Sequence, residues 1–222
     1  MLKKEKYSFE DLKEIMRILR SENGCPWDRE QTHKSIRNNF LEEAYEAIEA
    51  IEDEDPDLLK EELGDVLLQV VFHAQMGSEV GAFDIDGVCD GICTKLIVRH
   101  PHIFADTIAE TSEQVLSNWE NIKIGEKGYA DAGEYVRSTA KSLPALMRTQ
   151  KIHKRLLKRK IIRELDLDGL LENIKKDIGE LENPTPERIG RILYDITALA
   201  DRCGIDSEQA LYNLNKKTLK NL

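Results

Sequence analysis

Apolar residues recur every three or four positions along most of the chain, and nowhere do they alternate in the two-residue rhythm of a half-buried strand. Phe9, Leu12, Ile15, Met16 and Leu19 form the first stripe; Ser8-Phe9-Glu10-Asp11 before it resembles a capping box, and Asn23-Gly24 breaks it. This pattern predicts a helix over 9–21. A loop, Asn23-Gly24-Cys25-Pro26-Trp27-Asp28, leads into a helical stretch from about Ile36 to Ile51, with Leu41, Ala44, Tyr45, Ile48 and Ile51 as its apolar face. Asp53 to Asp57, with Pro56 inside, predicts a turn into a long helix over 58–79 striped by Leu59, Leu63, Val66, Leu67 and Val70. Asp84 is placed to cap a helix over 85–99 that Pro101 stops, and Ser112 to cap one over 111–123. Three glycines within 125–133 predict a linker, and helices over 165–181, 186–203 and 206–219 complete an all-α chain.

The polar positions between those stripes are unevenly charged. From Leu41 to Asp65 there are twelve acidic residues and one basic residue, Lys60, so the salt-bridge lacing of an ordinary solvated helix face is missing. Glu43 and Glu46 stand about a turn apart on one predicted helix, as do Glu62 and Asp65 on the next. These acids stand beside the apolar stripe and not opposite it. Two facing carboxylate pairs can close around a hard cation such as Mg²⁺, with Mn²⁺ as a substitute, and leave coordination positions for water and phosphate. Gly64 interrupts this helix at a cost of roughly 1 kcal/mol against alanine, which close approach of backbone or ligand would explain.

The bulk composition narrows the classes. With 222 residues, 41% hydrophobic and 33% charged, the chain is long enough for one domain or two small ones. A net charge of -10 argues against a surface devoted to nucleic acid. Arg137 to Arg163 runs against that trend, with ten Lys or Arg and no acid; little aromatic interleaving accompanies it, which favours a basic helix docking on acidic partners over a base-stacking tract. Met1 to Asp11 has no apolar core of a secretory signal, and Val66 to Met76 is too short to span a bilayer, so a cytoplasmic protein without membrane contact is expected. Cys25, Cys89, Cys93 and Cys203 have no disulfide-framework spacing; Cys89 and Cys93 near His100 and His102 raise zinc, but an i,i+4 cysteine pair on an amphipathic helix reads first as small apolar filling. A di-iron bundle needs an inward E-x-x-H on two helices, and only Glu30 to His33 fits.

Cations downstream of the acids point to a phosphate ligand. Lys95 and Arg99 lie one turn apart, and Lys123 lies one turn after Trp119; each taken alone also reads as ordinary surface charge. Together with Asn23 to Asp28, Leu41-Glu42-Glu43-Ala44-Tyr45-Glu46, Glu61 to Gln75, Lys95 to His102, Asn118-Trp119-Glu120 and Ser142 to Leu146, the order of blocks resembles the MazG-type nucleoside triphosphate pyrophosphohydrolases over residues 9 to about 160. The resemblance implies an all-α fold, Mg²⁺ dependence, a homodimer or higher homo-oligomer, and hydrolysis of an NTP or dNTP to monophosphate and pyrophosphate. It implies metal ligation by Glu43, Glu46, Glu62 and Asp65, with Glu42 as the water-activating base. Lys95, Arg99 and Lys123 are implied phosphate contacts, and Trp119 is implied to lie against the nucleotide. A Mg-nucleotide-binding regulatory protein without turnover is the alternative.

The resemblance also divides the chain into a MazG-like module of four to five helices (1–125), a glycine-containing linker with a basic helix (126–163), and a second, degenerate helical module (164–222). Lys176-Asp177-Ile178-Gly179-Glu180 falls where the first acidic motif would recur, and Ile192-Leu193-Tyr194-Asp195 where the second would. Ile192 cannot ligate a metal and Lys176 brings the wrong charge, so one competent site per chain, in the first module, is expected.

Overall fold

The computed structural model describes residues 4–179 and 184–220, and among them every regular element is a helix. Contacts divide the chain into two compact units, Met1–Val115 and Leu116–Leu222.

In the first unit, helix α1 spans Phe9–Leu19 and opens with the expected capping box, the Ser8 side chain accepting from Asp11 N while the Asp11 carboxylate accepts from Ser8 N. The predicted loop after it holds a short helix, α2, Pro26–Glu30. Proline at its first position explains this, because proline has the helical φ preset and lacks only an N–H that no carbonyl would accept there. Helix α3 covers Arg37–Glu52 and α4 covers Pro56–Glu79. The long helix therefore begins two residues before the predicted start: Asp55 caps it by accepting from Asp57 N and Leu58 N, and Pro56 takes the first helical position. Helix α5, Ile85–Arg99, is capped by Asp84 as expected, and Pro101 both ends it and starts the single turn α6, Pro101–Phe104.

Helix α4 is the spine of this unit, with α1, α3 and α5 packed on it. Met16, Ile36, Val71, Phe72 and Met76 form the buried cluster, flanked by Leu12, Leu68 and Ile85. The face that α3 turns inward differs from the predicted one. Ala47 and Ala50 are buried, while Leu41, Tyr45, Ile48 and Ile51 are exposed. Small side chains let the two helix backbones approach closely, and the larger ones are left outward. The inward line on α3 thus runs Ile36, Asn39, Glu43, Ala47, Ala50, and on α4 it runs Glu62, Asp65, Gln69, Phe72, Met76, both at three-and-four spacing.

One ion pair locks this arrangement. Arg20, just past α1 and with only 7% of its side chain exposed, donates Nε and Nη2 to the two carboxylate oxygens of Glu79 at 2.8 and 2.7 Å. Its Nη1 donates to the carbonyls of Asp28 and Gln31, and its guanidinium lies 5.4 Å from the centroid of Phe72. A single side chain therefore ties α1, α2 and the end of α4 together.

The second unit holds most of α7, Ser112–Lys127, and then α8, Ala132–Arg137; α9, Ala145–Lys158; α10, Leu167–Gly179; α11, Pro186–Arg202; and α12, Ser207–Lys220. Thr111, not Ser112, caps α7, its hydroxyl accepting from Gln114 N at 3.3 Å. The predicted linker is shorter than its glycines imply: Gly125 is helical, and the break comes at Gly128, whose φ of +60° suits glycine. Within 126–163, α9 packs on α8, and it also packs on α11 and α12.

Three cations of the basic tract are engaged inside the unit. Arg155 is buried and donates Nη1 to Tyr135 O, Ser138 Oγ and Thr139 Oγ1 at 2.6, 2.9 and 3.1 Å, with its guanidinium over the Tyr135 ring. Lys158 pairs with Glu120, which also accepts from the Tyr135 hydroxyl, and Lys154 pairs with Asp201 at 2.8 Å. These contacts match the docking reading of Arg137 to Arg163.

Because the Arg20 and Glu79 pair is intermediate between exposed and buried, Arg20→Ala is expected to lower unfolding free energy by about 2 kcal/mol, between the values for surface and buried pairs. Arginine holds the Glu79 carboxyl below its ordinary value of 4.5. The stabilisation is therefore fully present above pH 4.5 and is lost as pH falls through the lowered value. Chemical denaturation of wild type and variant across that range checks both the size and the closing of the gap.

Candidate metal centre

The two inward lines meet with opposite chain directions, so Glu43 on α3 arrives opposite Glu62 and Asp65 on α4. One carboxylate oxygen from each of these three residues lies within 4.8 Å of the others. Among the described residues this is the one group of three or more His, Cys, Asp or Glu side chains gathered so closely. Glu62 is 9% exposed, and Glu43 and Asp65 are partly buried.

Burial, followed by the charges of Asp65, Glu46, Glu62 and Glu42, pushes the Glu43 carboxyl up. Glu62 is raised first by burial and then by the charges of Glu46, Asp65 and Glu61, with a hydrogen bond from its protonated carboxyl to Glu46 contributing. Glu43 and Glu62 therefore resist ionisation at this half-buried seam, and a divalent cation relieves both causes at once. An all-oxygen donor set at this spacing fits a hard divalent ion.

The other expected site residues are distributed as follows. Glu46, one turn beyond Glu43, is exposed and reaches the cluster through Glu62. Glu42 is exposed and contributes to the field at Glu43. Lys95 is exposed on α5, while Arg99, at the last turn of that helix, is only 9% exposed. Trp119 and Lys123 belong to the second unit, where the Lys123 ammonium lies 4.9 Å from the Trp119 ring centroid. Gly64 has no protein atom within 4 Å of where a Cβ would stand, so close backbone approach does not account for it.

In the second unit Ile192 is buried, and Asp195 is raised first by burial and then by Asp177. The remaining acid of that motif, Glu180, lies outside the described residues. Two features went unread in the sequence. His33 and His73 stack, with their Nδ1 atoms 2.7 Å apart, and burial together with His33 lowers the His73 imidazole. Gln69 and Asn39 continue the inward lines one turn from Asp65 and Glu43, and the signal for them was a polar residue in phase with the buried stripe.

Comparison with known proteins adds the lineage. The MazG nucleotide pyrophosphohydrolase domain matches residues 31–104, which contain all three clustered carboxylates. The chain is 42% identical over 214 residues to the nucleoside triphosphate pyrophosphohydrolase of Escherichia coli strain K12, covering 91% of this chain and 81% of that protein. It is 40% identical over 214 residues to the nucleoside triphosphate pyrophosphohydrolase/pyrophosphatase MazG of Thermotoga maritima, covering 94% and 82%. It is 47% identical over 156 residues to the uncharacterized protein YabN of Bacillus subtilis, covering 69% of this chain and 32% of that protein. The chain thus spans about a third of YabN and about four-fifths of the other two. With its carboxylate seam lying inside the matched domain, this chain belongs to the MazG nucleotide pyrophosphohydrolase family.

Proposed function

We propose that the chain hydrolyses nucleoside triphosphates to the monophosphate and pyrophosphate, with Mg²⁺ held by Glu43, Glu62 and Asp65 and completed by Glu46. The convergence of Glu43, Glu62 and Asp65 carries this reading, and the names of the relatives support it. A bound divalent ion supplies neutralising charge to the phosphates and acidity to a coordinated water. Glu42, exposed beside the cluster, orients and deprotonates the attacking water. Water oxygen bonds to the α-phosphorus, the bond from that phosphorus to the bridging oxygen breaks, and pyrophosphate leaves. Lys95, Arg99 and Lys123 contact phosphate oxygens and Trp119 packs on the nucleotide; no covalent protein intermediate is needed.

The organisation we propose is one competent site per chain, in the first module. Loss of a carboxylate at Ile192 supports it, because an aliphatic side chain contributes no lone pair to a cation. A homodimer or higher homo-oligomer is supported by Val88, Ile92 and Leu96 along one face of α5 and Leu41, Tyr45 and Ile48 along α3, all exposed. A cytoplasmic location goes with this reading; no helix among the described residues is long and apolar enough to cross a membrane.

A panel of NTPs and dNTPs assayed for pyrophosphate with Mg²⁺ tests the activity. Wild type is expected to release pyrophosphate, and Glu62→Gln to lose roughly 100-fold or more in kcat, since even an outer-shell change at a metal site costs 10- to 100-fold. Orthophosphate as the first product, or full activity in Glu62→Gln, contradicts the proposal.

The raised carboxyls give a second expectation. A carboxyl raised on folding opposes folding when ionised, so the metal-free protein gains stability at this seam as pH falls from neutral toward the ordinary glutamate value of 4.5. Protons and divalent ion compete for the same oxygens, so the rise in thermal midpoint on adding Mg²⁺ shrinks over that range. Scanning calorimetry on wild type and Glu62→Gln, with chelator and with Mg²⁺, reads both effects, and Glu62→Gln is expected to raise the metal-free midpoint at neutral pH.

A further inference from the structure

Helix α7 carries two of the proposed substrate contacts, Trp119 and Lys123. Each of α8 to α12 buries at least one residue, and α7 buries none. Core packing therefore fixes this helix less firmly than its neighbours, and its rotation is set by the specific ties it makes.

Glu120 makes such a tie. Its carboxylate accepts from the Tyr135 hydroxyl on α8 and from the Lys158 ammonium on α9. Burial by itself would raise this carboxyl, but the hydrogen bonds from Lys158 and Tyr135 and the charges of Lys158 and Lys123 leave it below its ordinary value of 4.5. Both bonds are therefore charge-assisted at neutral pH.

Tyr135 is itself held in a fixed frame. It is 3% exposed, and the guanidiniums of Arg155 and Arg159 lie 4.4 and 5.0 Å from its ring centroid. Its carbonyl accepts from Arg155 Nη1, which also donates to Ser138 and Thr139.

Helix geometry carries the tie to the substrate contacts. At about 100° per residue, Glu120 stands roughly 100° from Trp119 and roughly 60° from Lys123, while Trp119 and Lys123 are roughly 40° apart on one face. The Lys123 ammonium lies 4.9 Å from the Trp119 ring centroid. Fixing Glu120 thus fixes the direction in which this ring and ammonium point, whereas Tyr135 is too deeply buried to meet a nucleotide itself.

We infer that Tyr135 and Lys158 are positioning residues: acting through Glu120, they set the rotation of α7 and hold Trp119 and Lys123 in the orientation that binds the nucleotide. The inference rests on the proposed contacts of Trp119 and Lys123 with substrate. It gives the second unit a part in substrate binding without a metal of its own.

Tyr135→Phe removes the hydroxyl and keeps the ring, and Lys158→Met removes the ammonium from a side chain that is 37% exposed. Three quantities are measured for each, with and without Lys123→Met: pyrophosphate release from the best triphosphate of the nucleotide panel, equilibrium binding of the panel's α,β-methylene analogues with Mg²⁺, and thermal midpoint. Each variant is expected to raise KM and weaken binding about tenfold, the worth of one hydrogen bond to a charged group, with kcat within about threefold because the contact serves substrate and transition state alike. Lys123→Met is expected to cost much less in either variant than in wild type, since the contact it removes is already misaligned. Lys158→Arg, which keeps a donor to Glu120, is expected to restore affinity. A purely structural role predicts a lower midpoint with KM unchanged.

Unchanged KM and affinity in either variant, or losses that add in full to that of Lys123→Met, would overturn the inference. If wild type binds the analogues but releases no pyrophosphate, the proposed activity fails, and the binding cycle still decides the roles of Tyr135 and Lys158. If wild type binds none of them, both readings fall.

Discussion

The structure of the first unit depends on one constraint: three carboxylates occupy positions of the α3 and α4 seam that the helical period assigns to core. Glu43 falls in the line of Ile36, Ala47 and Ala50, and Glu62 and Asp65 fall in the line of Phe72 and Met76. Burial and the neighbouring charges both oppose ionisation of Glu43 and Glu62. The apolar cluster of Met16, Ile36, Val71, Phe72 and Met76, with the Arg20 clamp across α1, α2 and α4, holds the helices together while the acids push apart. Functional positions commonly carry such a local cost, which the rest of the fold offsets.

The second unit provides an internal contrast. In the degenerate second module that we propose, Ile192 on α11 takes the place of Glu62 on α4; it is buried, with Asp195 one turn on. Exchanging a clustered carboxylate for an aliphatic side chain removes the repulsion and restores an ordinary packed position. The strong electrostatics of that unit lie elsewhere, around Arg155, Tyr135 and Glu120, where cation, ring, hydroxyl and carboxylate satisfy one another. That network joins cation to carboxylate, whereas Glu43, Glu62 and Asp65 gather carboxylates alone.

Much of this was legible in the sequence, for identifiable reasons. Helix positions followed from apolar period and capping residues such as Ser8 and Asp84, because those signals are local. The acid cluster was legible because charge imbalance over 41–65 and helical spacing are both properties of the chain alone. The inward face of α3 was misread: hydrophobicity favours Leu41, Tyr45, Ile48 and Ile51, but close helix approach selects Ala47 and Ala50, and that choice depends on what packs opposite. The short α2 and the early start of α4 both turned on proline, which reads as a turn signal and also as a preferred first helical residue. Gln69 was legible only as a polar residue in phase with the buried stripe, since nothing in its identity tells what a polar side chain in a buried line will meet.

The central claim is that the Glu43, Glu62 and Asp65 seam is where a divalent ion and a nucleotide meet. Anomalous diffraction from crystals grown with Mn²⁺ and a non-hydrolysable nucleoside triphosphate measures this directly. The account predicts the anomalous peak within coordination distance of Glu43, Glu62 and Asp65, with the triphosphate on the same ion. A peak at Asp195 instead, or none at the seam when the nucleotide is bound, would contradict it.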